Sequence, residues 1–131
     1  MKLTGLHVPA ITQFDANGEV DLAKSKEWVE ILVQSGVNGV VAVGTTGEAY
    51  ALTLDERLAV AKAVVDQVAG RVPVLAGVGG EQEHHAGALE AFVERRGDEV
   101  LFAQHGGVDP RVVDQDVARE RTEQRHERAA K

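Results

Sequence analysis

Val41-Ala-Val-Gly-Thr-Thr-Gly-Glu48 is the stretch on which the fold turns. Its first part, extended back to Gly39, is an apolar, β-branched run of strand length. Its second part sets two threonines between Gly44 and Gly47, just ahead of a helical segment. Glycines are expected there because they allow a positive φ and let the backbone approach a ligand closely. Turn and helix-start amides are not consumed by intrahelical bonds, so such a loop can aim N–H groups and two hydroxyls at an anion. Thr53 to Glu56 then reads as a capping box, and Leu58, Val60, Ala61, Val64, Val65 and Val68 form one apolar helix face. Taken alone, Gly-Thr-Thr-Gly has a simpler reading as a structural βα turn.

On either side the same alternation continues. Leu6 to Ile11 predicts a short strand interrupted by His7 and Pro9, and proline confines a strand to its start, an edge or a bulge. Asp15 to Gly18 is turn chemistry. Asp21 can cap a helix running to about Ser35, with Leu22, Val29, Leu32 and Val33 on one face, Ser25 and Lys26 weakening it, and Gly36 at its end. Val37 to Val43 is the second strand, Leu54 to Ala69 the second helix and Val72 to Gly77 the third strand. Ala86, Leu89, Phe92 and Val93 suggest a third helix, and Glu99 to Ala103 a fourth strand. The spacing is that of right-handed βαβ units, which serve a doubly wound sheet and a barrel equally well.

Composition bounds the function. The formal net charge of −7 disfavours nucleic acid and anionic membrane surfaces, both of which call for basic patches. The absence of cysteine excludes disulfides, thiolate zinc sites and a cysteine nucleophile, and it fits a cytoplasmic protein. Met1-Lys2-Leu3 leads into the first strand with no apolar targeting region, and no run has the length of a membrane span. His84, His85, His105 and His126 lack the helical His pair with a carboxylate that makes a zinc site, so no metal is expected. Gly77-Val-Gly-Gly80 lacks the Gly-Lys-Ser/Thr of a phosphate loop and the third spaced glycine of a dinucleotide site. Ser25 and Ser35, the only serines, fall on a predicted helix away from any hydrolase pattern.

Five segments in order, Ala10-Ile-Thr-Gln-Phe14, Asp15-Ala-Asn-Gly-Glu-Val-Asp21, Gly36-Val-Asn-Gly39, Gly44 to Thr53 and Gly70-Arg-Val-Pro-Val-Leu-Ala-Gly77, together resemble the dihydrodipicolinate synthase and N-acetylneuraminate lyase family. The resemblance covers about three-fifths of the chain, from Gly5 to Gly80; Gln13 stands where the family usually has proline. It implies the N-terminal part, about half, of a (β/α)₈ barrel, since 131 residues fall short of the roughly 250 of a closed one. Residues 1–105 are assigned to this partial barrel and 106–131 to a charged tail.

The implied chemistry is Schiff-base condensation of pyruvate with an aldehyde, without a cofactor. The closest expectation is a dihydrodipicolinate synthase of lysine biosynthesis, and the alternative a sugar-acid aldolase or N-acetylneuraminate lyase. By position in the motif, Thr45 would join the proton relay, Thr46 would bind the pyruvate carboxylate, and Gly44 and Gly47 would shape the loop. Tyr50, in the loop that follows, is read as wall or lid packing. The Schiff-base lysine and the catalytic tyrosine belong to later family strands, and where that tyrosine's turn is expected this chain reads Gln104-His-Gly-Gly107. Lys24, Lys26 and Lys62 fall on helices, Lys2 precedes the first strand and Lys131 ends the tail, so none substitutes.

Beyond Gly80 the composition shifts, with 20 of 51 residues charged against 15 of the first 80, and the segment from Arg119 to Lys131 has no apolar face. This reads as a solvated or disordered tail, or as the product of a changed reading frame, which translating the gene in its other two frames would distinguish. A reading from a different class is a non-catalytic chain that acts by association, through the sheet edges and apolar inner strand faces of a half barrel.

Overall fold

Asp21 decides where the first helix begins. Its backbone is extended and its carboxylate accepts from the amide of Lys24 at 3.0 Å, so α1 runs Leu22–Gln34. The helix closes at Ser35, whose hydroxyl donates to the Ile31 carbonyl at 2.7 Å, and Gly36 follows at φ +83°. Helix α2, Leu54–Val68, opens on the expected capping box: the Thr53 amide donates to the Glu56 carboxylate at 2.8 Å and the Glu56 amide to the Thr53 hydroxyl at 3.3 Å. The computed structural model describes residues 3–78 and 100–104. The expected third helix, His84, His85, His105 and His126, and the charged tail lie outside these residues.

Four strands, β1 His7–Pro9, β2 Gly39–Ala42, β3 Val74–Val78 and β4 Val100–Gln104, pair in parallel in the order of the chain. This order separates the two folds that alternation alone leaves open. A doubly wound sheet reverses its direction of winding, whereas here every strand is laid beside the one before it, as in a barrel. Helices α1 and α2 pack against each other and against β2, so both cover the same face of the sheet. The described part is a segment of barrel wall with its helical coat.

Strand alternation places Val40, Ala42, Val74 and Ala76 under the helices, where they join Val29, Leu32, Val60, Ala61, Val64 and Val68 in the core. The intervening Val41 and Leu75, in register with each other and with Pro9, are half-buried on the opposite face. Strand β1 is shorter than the apolar run suggested. Pro9 is its last residue, although the Ala10 amide still donates to the Val41 carbonyl at 2.9 Å.

Ser25 departs from expectation. It does not weaken the apolar face of α1 but sits within it, 2% exposed, because its hydroxyl accepts from the Gln13 amide at 3.1 Å. On the outer side, Arg71 grips the Glu30 carboxylate with two nitrogens, at 2.9 and 2.6 Å, and thereby ties the end of α2 to α1. Gln67 and Gln34 donate to the same carboxylate at 2.6 and 3.0 Å. Led by Arg71, these donors hold Glu30 at a pKa of about 2, well below its ordinary 4.5, and Glu30 in turn raises Arg71.

Candidate functional site

The loop Val43 to Glu48 leaves the C-terminal end of β2 and makes one tight circuit before a short 3₁₀ turn, Ala49–Ala51. The Glu48 amide donates to the Thr45 carbonyl at 3.0 Å and the Ala49 amide to the Gly44 carbonyl at 3.3 Å. Thr45 and Thr46 are exposed, while Gly44 and Gly47 are buried beneath them. The predicted pair of threonines is thus exposed together at the strand end.

Two expectations about this loop are corrected. First, left-handed backbone falls not on Gly44 and Gly47 but on their outer neighbours, Val43 at φ 46° and Glu48 at φ 55°. For a β-branched residue such as Val43 this is a strained conformation, costing about 1–3 kcal/mol. The glycine at 47 serves close approach instead, since a Cβ there would lie 3.0 Å from the Ala10 carbonyl oxygen. At Gly44 the nearest contact of a Cβ would be an ordinary 3.6 Å, to Val41 Cγ1. Second, the loop does not open directly into α2. The 3₁₀ turn Ala49–Ala51 intervenes, and the capping box at the start of α2 engages the amides of Thr53 and Glu56.

Three neighbours that the motif reading passed over hold the loop in place. Thr12, just beyond β1 and 7% exposed, donates its hydroxyl to the Gly47 carbonyl at 2.6 Å. Gly77 of β3 carries no Cβ because the Val43 carbonyl occupies that space; a Cβ would lie 2.6 Å from its oxygen and 2.9 Å from Gly44 Cα. Arg57, largely buried in α2, donates Nε to the Leu52 carbonyl at 3.1 Å and so secures the exit from the 3₁₀ turn. A short polar residue directly after the first predicted strand and a glycine at the end of the third were the available signals for the first two. Tyr50 lies on the 3₁₀ turn and is 38% exposed.

The described lysines stand apart from this arrangement. Lys24 pairs with Asp21 at 3.7 Å and Lys62 with Asp66 at 3.0 Å, each on a solvent-facing helix surface. Lys26 borders a groove of about 320 Å³ with Glu27, Glu30, Ile31 and Gln67, which belongs to the helix layer and not to the strand ends. Lys2 and Lys131 lie outside the described residues, as do His105 to Gly107, where the family's tyrosine turn was sought.

Residues 2–103 match the model of the dihydrodipicolinate synthetase family. The chain belongs to that family. A 4-hydroxy-tetrahydrodipicolinate synthase of Pseudomonas aeruginosa is 44% identical over 87 residues, which is 66% of this chain and 30% of that protein. Dihydrodipicolinate synthase from Aquifex aeolicus superposes with a TM-score of 0.67 at 35% identity, covering 76% of this chain and 33% of the other. N-acetylneuraminate lyase from Mycoplasma synoviae gives 0.69 at 27% identity, over 79% and 36% of the two chains. The family member YagE from E. coli K12, solved in complex with pyruvate, gives 0.68 at 26% identity, over 96% and 42%. The chain therefore spans about a third of the length of the curated relative it matches, and its fold is a partial barrel. Among the described residues, no helix is long and apolar enough to cross a membrane.

Proposed function

We propose that the Val43 to Glu48 loop is the keto-acid carboxylate cradle of a pyruvate-dependent lyase of the 4-hydroxy-tetrahydrodipicolinate synthase type. The observation that carries this reading is the exposed pair Thr45 and Thr46 over buried Gly44 and Gly47 at a strand's C-terminal end. Barrel enzymes build their sites at that end. Preorganised hydroxyl and amide donors suit a carboxylate there, since they need no rearrangement when the anion arrives. The pyruvate complex of YagE supports a keto acid as the ligand class. In this reading Thr46 holds the carboxylate, Thr45 belongs to the proton relay, and lysine biosynthesis is the setting. The amine that would form the imine is not among the described lysines, which lie on helix surfaces. A sugar-acid aldolase or N-acetylneuraminate lyase is the second reading, favoured by the likeness to the Mycoplasma synoviae enzyme.

The test is a pyruvate titration of the 131-residue polypeptide followed by amide NMR, with borohydride trapping in parallel. The expected result is a saturable shift confined to residues 44–48, with affinity in the roughly millimolar range, and no covalent adduct. A stoichiometric adduct on one lysine, or shifts elsewhere and none in the loop, would mean that the site has been misplaced. In a full-length relative, grafting this segment and comparing aspartate semialdehyde with N-acetylmannosamine as the second substrate separates the two readings.

A further inference from the structure

We propose that Thr12 is a positioning residue for the threonine loop, acting through the Gly47–Glu48 peptide. This rests on the carboxylate-cradle reading for its purpose, but not for its geometry. That one peptide group is held at both ends: its carbonyl accepts the Thr12 hydroxyl at 2.6 Å, and its N–H donates to the Thr45 carbonyl at 3.0 Å. The orientation of the plane sets the direction in which Gly47 and the threonines before it face. The loop is also bracketed by two left-handed residues, Val43 and Glu48, and strained backbone persists only where its surroundings over-determine it. Gly77 supplies that restraint on the Val43 side by close packing. On the Glu48 side the restraint is the buried Thr12 hydroxyl.

Thr12 is itself anchored. The next residue, Gln13, has both backbone groups engaged at the start of α1: its amide donates to Ser25 Oγ at 3.1 Å and its carbonyl accepts from the Asp21 amide at 2.8 Å. A continuous chain of hydrogen bonds thus runs from α1 through Gln13 to the covalently attached Thr12 and on to Gly47. It explains why Ser25, 2% exposed, occupies a place where an aliphatic residue would complete the apolar face. A valine at 12 would keep the shape and remove the donor; a serine would keep the donor and remove the methyl.

Amide hydrogen exchange of the 131-residue chain and its Thr12→Val and Thr12→Ser variants tests this, alongside the pyruvate titration. Losing one buried hydrogen bond should speed exchange at Glu48 and Ala49 about tenfold relative to the amides of α2, and weaken pyruvate binding by a similar factor. Thr12→Ser should stay within about twofold of the parent on both readouts, because the donor is retained. Equal changes in loop and helix would reveal a merely global loss of stability and overturn the proposal, as would unchanged exchange at Glu48. Should Thr12→Val fail to fold, Ser25→Ala carries the test: it removes the acceptor of the Gln13 amide with Thr12 intact and should loosen Glu48 selectively, and no selective change there overturns the proposal. If pyruvate leaves the parent loop unshifted while Thr12→Val still loosens it, the carboxylate reading fails and the positioning role stands.

Discussion

Replacing Gly77 by alanine asks the most of the structure. The added Cβ would sit 2.6 Å from the Val43 carbonyl oxygen, 2.9 Å from Gly44 Cα and 3.1 Å from the Val43 carbonyl carbon. Carbon and carbonyl oxygen settle at about 3.3 Å or more, so the loop and β3 must separate by roughly 0.7 Å. All three clashing atoms are backbone, and Val43 is already left-handed at φ 46°, which leaves no side-chain rotation to relieve the overlap. Overpacking of this kind costs about 2–3 kcal/mol, which for a domain of this size lowers the melting temperature by roughly 10 °C. Gly44→Ala is the internal control. Its Cβ would meet only Val41 Cγ1 at 3.6 Å, with no positive φ to oppose it, so stability should hold or rise by up to about 1 kcal/mol. Thermal and urea unfolding of both variants supply the measurement. If Gly77→Ala melted with the parent while Gly44→Ala was the damaged one, the reasoning that assigns close approach to 77 and openness to 44 would be refuted.

Glu30 should govern part of the acid response. A carboxyl depressed from 4.5 to about 2 stabilises the fold above its unfolded value and loses that contribution as pH falls from about 4.5 toward 2. Urea midpoints of the parent should therefore drop more steeply across that window than those of Glu30→Gln, and added salt should shrink the difference because Glu30 and Arg71 are partly exposed; parallel pH profiles would count against the clasp. Thr53→Ala should lower the stability of α2 by about 1 kcal/mol, seen as a shifted urea midpoint at unchanged slope, whereas Thr53→Ser should restore most of it. Equal losses in the two variants would point to a packing role for the methyl instead of a cap.

The elements were legible in the sequence where a single local rule decides them. Asp21 and Thr53 announce helix starts because capping is a matter of neighbouring side chains and amides, and both caps stand as read. The threonine loop was legible as a strand-end turn for the same reason. What escaped depends on contacts between distant segments. Thr12 is joined to Gly47 across 35 positions, and nothing in the residues around Thr12 indicates which carbonyl it will meet. Of the two uses expected for glycine at 44 and 47, positive φ is absent, because tertiary packing puts the unusual torsion on Val43 and Glu48 and leaves Gly47 and Gly77 to make room. Ser25 escapes because periodicity counts a serine as a gap in an apolar stripe, whereas the half-buried Gln13 amide makes it an acceptor.

The laying of each strand beside its predecessor also fixes the order in which the chain can acquire structure. His7 meets Gly39, Val40 meets Val74 and Val74 meets Val100, so each pairing closes a loop of only about thirty residues, and α1 and α2 shorten the first two. Among the described residues, each strand pairs with its neighbour in the chain. As the chain leaves the ribosome, β1, α1 and β2 can pair before β3 has been synthesised, and each later unit docks on an edge that already exists. The Thr12 to Gly47 hydrogen bond falls within the first of these units. The threonine loop can therefore be fastened at that end from the outset, with Gly77 closing over Val43 when the third strand arrives.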